Sequence, residues 1–344
     1  MSQHGIELPV QVSPEEEPEA AAPLSPAARG ARAGWRSAAA VAAIPVSALV
    51  AVGVHFGMRD RGLLPQTGLY PGILAVLLGV GLIGGLIPGV RGRLRGKAPL
   101  AAAATLTLAA WELITLKLEW LPLMYFPPPG TILQTLVDDR AQLFDSTWHS
   151  LVLLASGYAA GVVAGLVSGI TMGWSSGFRY WGMPVLKIVG PIPATAWIPL
   201  ALIVFPQSNL SGVALIALAV WFPVTMLTAS GVSNVRASYL DVARTLGAGR
   251  SYLIFRVAIP AAMPSIFIGL FMGLGSSFLT LLVAESTGVR SGLGWYIDWA
   301  HNYSDYAKVF AALAIMAAFF STIMTVLFKA RDRALVWQKG VIKW

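Results

Sequence analysis

Long apolar runs alternate along this chain with short polar connections, many of them basic. About twenty residues at a rise of about 1.5 Å each cross the roughly 30 Å hydrocarbon core of a bilayer, so each run predicts a membrane-spanning helix. Eight runs of this kind fall at roughly 37–56, 70–90, 99–118, 147–173, 185–205, 209–231, 264–285 and 307–328. Residues 1–34, rich in Ala, Pro, Glu and Ser with no periodic apolar face, predict a disordered tail. Glu15, Glu16 and Glu17 lie ahead of the first run, so no cleavable signal is expected.

The basic residues orient the spans. With the N-terminus inside, the cytoplasm receives Arg29, Arg32 and Arg36, then Arg91, Arg93, Arg95 and Lys97. It also receives Arg179, Lys187, Arg236, Arg244, Arg250, Arg256 and the C-terminal Lys329, Arg331, Arg333, Lys339 and Lys343. The other face receives only Arg59, Arg61, Arg140, Arg290 and Lys308. Basic residues concentrate on the cytoplasmic side of membrane proteins, so an even number of spans with both ends cytoplasmic is expected.

Composition agrees: 56% of the 344 residues are hydrophobic and only 12% charged, against about 25% in soluble domains. With no cysteine, disulfides and thiolate metal sites are excluded. His4, His55, His149 and His301 are scattered, so no metal site is expected. The net charge of +8 reports topology in such a chain rather than a nucleic-acid partner. Gly96-Lys97 lacks the glycine and hydroxyl residue of a phosphate-binding loop, so the chain is not itself an ATPase.

The most informative connection runs from Tyr239 to Pro260, between two of the apolar runs. Ser238 and Asp241 resemble a capping box, predicting a short helix to Leu246 that Gly247 and Gly249 terminate. A second short helix is expected over Ser251–Ala258, with Pro260 and Pro264 opening the next span. Leu240 and Ala243 share one face of the first helix and Asp241 and Arg244 lie away from it. Such a helix either lays a face into a partner's groove or rests on lipid headgroups, and residue physics alone leaves both open. Trp295, Tyr296, Trp299, Tyr303 and Tyr306 predict an interfacial aromatic belt on the outer side; a docking surface is the alternative. Glu285, near the outer end of its span, is either functional or a structural hydrogen-bonding group. Glu112 and Lys117 suggest a buried pair. Pro191, Pro193 and Pro199 interrupt one span, as kinks or as a broken helix. Met172, Met183 and Met226 are expected in the core, and Gly79, Gly81, Gly84, Gly85 and Gly89 at a close helix approach.

Asp241-Val242-Ala243, three residues, Gly247, nine residues, then Val257-Ala258-Ile259-Pro260 resembles the EAA loop of ABC importer permeases. That pattern is Glu-Ala-Ala, three residues, Gly, nine residues, Ile-x-Leu-Pro; the spacing matches and the substitutions are conservative. Three further segments resemble the nitrate/sulfonate/taurine branch of that family: Phe126-Pro127-Pro128-Pro129, the stretch Pro191-Ile192-Pro193 through Ala196-Trp197-Ile198-Pro199-Leu200, and Val283-Ala284-Glu285 followed by Ser291-Gly292-Leu293-Gly294. The resemblance covers about 99–335 and leaves out the first two spans.

The resemblance implies an all-α integral membrane protein with the type I ABC importer transmembrane fold: a six-helix core plus two extra N-terminal helices. The expected divisions are the tail 1–34, the added helices 35–92, a permease core 93–335 (most characteristic over 145–330, with the loop at 236–260) and a cytoplasmic tail 336–344. It also implies a permease subunit in a bacterial inner membrane that carries a small anionic solute. Its partners would be two copies of a cytoplasmic ATP-binding subunit, a second permease copy, an external solute-binding protein and lipid, with no cofactor and no catalytic residue of its own. Tyr239, Asp241, Ala243, Arg244, Gly247, Arg250 and Pro260 are the expected coupling residues, and Pro191, Pro193, Trp197 and Glu285 the expected translocation-path residues. A secondary transporter would need an internal repeat and paired broken helices, and one Pro-broken span with no repeat weighs against it. A membrane-bound enzyme would need a cluster of reactive side chains, which the sequence does not offer.

Overall fold

A computed structural model describes residues 26–58, 68–86, 96–205, 207–287 and 289–338, with backbone alone for 26–41, 84–86 and 338. Among the described residues every regular element is helical. The helices are α1 (Pro26–Gly57), α2 (Leu69–Leu86), α3 (Ala98–Glu112), α4 (Pro129–Asp138), α5 (Arg140–Trp174), α6 (Ser176–Val189), α7 (Ile198–Val204), α8 (Ser208–Ser233), α9 (Ala237–Thr245), α10 (Arg250–Thr287), α11 (Leu293–Asn302) and α12 (Tyr306–Ala334). Five are long and apolar enough to cross a membrane, and a sixth crossing is available if α6 and the Ala194–Val204 segment, bent by 86°, count as one span. Only shorter apolar stretches, Ala42–Gly57 and Leu69–Ile83, are described for the first two expected spans. Arg91, Arg93, Arg95, Arg59, Arg61, Lys339 and Lys343 lie outside the described residues.

Helix α1 starts at Pro26, inside the tail expected to be disordered. Pro-Ala-Ala-Arg-Gly-Ala-Arg-Ala is a helix-forming stretch, with proline at the first position, where its missing N–H costs nothing.

The chain forms two compact units. The first comprises residues up to Gly57 together with Gly72–Ala110, so all of α3 but its last two residues groups with α1 and α2. Here a Cβ added to Gly81 would stand 2.6 Å from Cδ of Pro45, so this glycine does permit a close helix approach. Gly79 has open space around it, and Gly84, Gly85 and Gly89 lie where no side-chain surroundings are described.

The second unit, Met58–Pro71 with Trp111–Trp344, is organised by α5, α8 and α10. Glycine recurs every fourth residue of α5 at Gly157, Gly161, Gly165, Gly169 and Gly173, and all five are buried. A Cβ at each would meet Ile216, Ala217, Val224, Thr228 and Val232 of α8 in turn, at 2.6–2.7 Å. Lipid tails are as apolar as leucine, so spanning helices associate through close packing and hydrogen bonds rather than through a hydrophobic drive; small residues allow both. Ser168 and Thr225 hydroxyls sit 2.8 Å apart and Trp221 Nε1 donates to Ser168 Oγ at 3.0 Å. Tyr158 donates to the Leu270 carbonyl of α10 at 2.9 Å.

Glu112 and Lys117 are both buried, as expected. Glu112 precedes a π-helical turn over Leu113–Lys117 and Lys117 closes it, with Lys117 Nζ donating to the Met58 carbonyl at 2.8 Å.

Candidate functional site

The loop between α8 and α10 is built around a stop. Gly247 takes φ +81°, its N–H bonds the Arg244 carbonyl at 2.9 Å, and Ala248 N–H bonds the Ala243 carbonyl at 3.0 Å. These two bonds form a Schellman motif, which satisfies the last carbonyls of α9 and needs a left-handed residue. Gly247 is otherwise surrounded by open space, so the backbone angle alone demands glycine there. Gly249 does not share this role: it is extended, with φ −71°, and precedes α10 as its N-cap.

Other expectations for the loop are corrected. The helix begins at Ala237 with Arg236 as N-cap, and no side chain caps it. Ser238 therefore sits one residue inside the helix, past the cap position that a capping box needs. Leu240 and Ala243 are half-buried, turned toward the rest of the chain, whereas Tyr239, Val242 and Leu246 are 51%, 61% and 82% exposed. Their spacing of three and four places them on one face, which adjoins the Leu240–Ala243 face around the helix and is the more exposed of the two. Arg244 Nη1 bonds Asp241 Oδ1 at 2.9 Å across the exposed surface beside it. No second short helix stands apart. Helix α10 runs without interruption from Arg250, through a π-helical stretch at Leu253–Ala258, into Ile259–Thr287. The wider π turn absorbs the missing N–H and the ring of Pro260, which a regular α-helix would not.

The proline-interrupted span is broken rather than kinked. Helix α6 ends at Val189, Gly190–Pro193 turn the chain, and a 3-10 turn at Ala194–Trp197 leads into α7. A cavity of ≈ 390 Å³ lies against this break. Gly190, Pro193 and Thr195 line it from one side, and Phe222 of α8 and Ser276 and Thr280 of α10 from the other. No charged side chain lines it, and the Ser276 and Thr280 hydroxyls already donate to carbonyls of their own helix at 3.1 and 3.0 Å. Of the four expected path residues only Pro193 lines the cavity. Pro191 borders a neighbouring groove with Lys187 and Met226, and Trp197 packs against the cluster of Ala201, Leu215 and Ala284. Met172 is in the core as expected, while Met226 is 37% exposed.

Glu285 is fully buried elsewhere. Its Oε1 accepts from Ser150 Oγ at 2.6 Å and its Oε2 from Gly294 N–H at 2.7 Å. Ser150 Oγ in turn accepts from Leu293 N–H at 2.8 Å. The carboxylate thus satisfies one orphan N–H at the start of α11 directly and holds the hydroxyl that satisfies a second, at a helix start whose dipole favours negative charge. Gly292, at φ +116°, presses its α-carbon face against this carboxylate, and no side chain fits there.

The aromatic residues that follow divide. Tyr303 is exposed, but Tyr296 is buried and donates to Asp139 Oδ2 at 2.6 Å. Burial, and then the bond to Asp139, push its phenol well above the ordinary tyrosine range, so it stays a neutral donor. Lys308 Nζ lies 3.3 Å from the same carboxylate and 5.1 Å from the centre of the Trp299 ring. Tyr296 is therefore a buried hydrogen-bonding residue and not a ring free to sit at an interface. Arg179, expected on the cytoplasmic side, caps the end of α5 by donating to the carbonyls of Met172 and Gly173 at 3.1 and 2.9 Å.

Sequence reasoning missed the α5 glycine ladder, though its four-residue period stands in the sequence from Gly157 to Gly173. It also missed Ser150, whose role depends on a partner 135 residues away.

Comparison with known proteins places the chain. A family profile described as "Binding-protein-dependent transport system inner membrane component" matches residues 157–336. The taurine transport system permease protein TauC of Escherichia coli is 30% identical over 240 residues, covering 65% of this chain and 86% of that protein. The aliphatic sulfonates transport permease protein SsuC of Bacillus subtilis, named as putative, is 34% identical over 212 residues, 61% of this chain and 76% of that one. The nitrate import permease protein NrtB of a Synechocystis strain is 34% identical over 140 residues, 40% of this chain and 51% of its own. Among solved structures, a chain of the inward-facing MetNI methionine ABC transporter aligns with TM-score 0.49 and 13% identity over 57% of this chain and 98% of that one. The relatives belong to the branch that the four sequence segments resemble, and the profile spans more than half of the residues: the chain belongs to the binding-protein-dependent transport system inner membrane component family.

Proposed function

We propose that this chain is the membrane-spanning permease subunit of an ATP-driven importer for a small anionic solute of the sulfonate, taurine or nitrate class. Two copies would enclose the path, with eight spans per copy and both termini cytoplasmic. A separate ATPase would dock on each 236–260 loop, and an external binding protein would deliver the solute. The division into two added helices over 35–92 and a core over 93–335 belongs to the same reading.

The observation that carries it is the α9 surface. Tyr239, Val242 and Leu246 present an apolar face on a helix fixed by the Gly247 stop, with Arg236, Arg244 and Arg250 exposed around it. A family permease has one evident use for such a surface, the groove of another subunit. The uncharged cavity lining fits a division of labour in which the external protein selects the solute and the permease supplies two conformations.

The test is co-purification of an ATPase encoded beside the gene, with and without residues 239–256, joined to uptake of labelled taurine, alkanesulfonate and nitrate. Retention of the ATPase by the deletion variant would refute the docking assignment. The broken span gives a secondary transporter one of the two broken helices it needs; uptake that persists without the ATPase would establish that reading instead.

A further inference from the structure

Helix α10 joins two places that the sequence treats separately. It starts at the Gly247–Gly249 turn of the loop and is 38 residues long. At about 1.5 Å per residue it extends about 57 Å, nearly twice the roughly 30 Å of hydrocarbon it must cross. Its far end carries Glu285, whose carboxylate holds the first N–H groups of α11 directly through Gly294 and indirectly through Ser150 of α5. A Cβ on Gly294 would stand 2.7 Å from the Leu282 carbonyl and 2.8 Å from Glu285 Cβ, so α11 is seated on α10 at contact distance. Helix α11 cannot turn or lift without breaking a buried carboxylate's hydrogen bonds, and a buried charge left unsatisfied is costly.

We propose that Glu285 is a positioning residue that transmits the arrival of the external binding protein, felt at α11, along α10 to the ATPase-docking loop. This rests on the importer reading above. Coupling between distant sites needs an element that both sites bias. Here the element is one helix, with the loop at its start and the Glu285–Ser150–Gly294 latch at its end.

The experiment uses the full complex of permease, ATPase and binding protein in lipid nanodiscs. ATP hydrolysis is measured with and without solute-loaded binding protein. In E285A and S150A the stimulation is expected to fall about tenfold, mid-range for couplings of this kind, while hydrolysis without binding protein stays at the wild-type rate. E285Q, which keeps an acceptor for the Gly294 N–H, should fall between them and the wild type. Full stimulation in both E285A and S150A overturns the proposal. So does an equal fall in basal and stimulated hydrolysis, which would assign Glu285 to folding alone. If the wild-type chain captures no ATPase, the importer reading fails first, and the latch is then judged by itself. The chain has no cysteine, so spin labels at Phe144→Cys and Tyr303→Cys, both exposed, report α11 against α5. A sharp distance distribution that broadens in E285A supports the latch, and an unchanged one overturns it.

Discussion

At its Arg250 end, helix α10 emerges from a loop whose apolar side chains Tyr239, Val242 and Leu246 stand in the open. At its Thr287 end it meets a carboxylate with no exposed surface, closed over by Ser150, Gly292 and Gly294. The two ends of one helix thus solve opposite problems. The loop end satisfies its own backbone through the Gly247 stop but leaves Tyr239, Val242 and Leu246 exposed. The far end uses its side chains to satisfy backbone. The difference teaches where the proposed partner has room: at the loop, folding of this chain leaves apolar side chains exposed, and at the Glu285 cluster it leaves none.

The largest expected effect comes from removing the platform both ends share. Gly165→Leu would drive a side chain into Val224 of α8, where even a Cβ stands 2.7 Å from Val224 Cβ. Overpacking of this sort costs about 1–3 kcal/mol or more, and no relaxed position is available along a ladder of five such contacts. The expectation is loss of a monodisperse peak in detergent size-exclusion. Gly275→Leu on α10, where nothing lies within 4 Å of the added Cβ, should elute and melt as the wild type does. Equal behaviour of the two variants would show that the ladder does not hold the unit together.

Next come Gly247→Leu and Asp241→Arg, which act on the loop end alone. Leucine at φ +81° meets the left-handed penalty of roughly 1–2 kcal/mol, and α9 is expected to lose its stop and its orientation. The membrane core should melt unchanged while ATPase capture and solute uptake are lost. Normal transport by both variants would remove the loop from the mechanism and leave its exposed face as a lipid contact.

At the far end, Tyr296→Phe deletes the 2.6 Å bond to Asp139 and keeps the ring. Asp139 retains Lys308 at 3.3 Å, so its charge stays compensated. The expected loss is about 1.5–3 kcal/mol, the usual net worth of a hydrogen bond to an ionised group. A thermal melt of the purified protein reads it. Loss of ATPase capture in this variant would blur the contrast between the two ends.

What was legible in the sequence follows a physical line. Five of the eight expected spans, or six with the bent pair, were legible because the bilayer fixes their length, and the loop because the Asp241–Gly247–Pro260 spacing is local. Gly247 was read correctly because a helix stop is a property of a few neighbouring residues. Ser238 was misread because capping depends on which residue leaves the helix first, and Arg236 does so two residues earlier than a capping box would require. Pro260 was misread as a boundary because the π turn that accommodates it leaves no mark in composition. The most exposed face of α9 was not legible because Tyr239, Val242 and Leu246 adjoin Leu240 and Ala243 around the helix, and periodicity does not say which of them the core takes. Glu285 could not be assigned from its own neighbourhood, because its hydrogen-bond partner Ser150 lies 135 residues away on another helix.

The smallest expected effect tests the contrast most sharply. Arg244 and Asp241 form a 2.9 Å ion pair with both side chains more than half exposed. In water such pairs contribute at most about 0.5 kcal/mol, since solvent and salt screen the attraction and two flexible side chains must be held. Arg244→Ala should therefore leave the melting temperature of the isolated chain within error, unlike Tyr296→Phe. The same substitution removes a charge at the rim of the Tyr239–Val242–Leu246 face, and rim charges act on the rate of association. ATPase binding to the variant, followed by surface plasmon resonance, should show a slower on-rate and a flatter salt dependence with little change in off-rate. A melt lowered as far as that of Tyr296→Phe would mean that the pair serves this chain's own fold, and the loop would then be as self-contained as the latch.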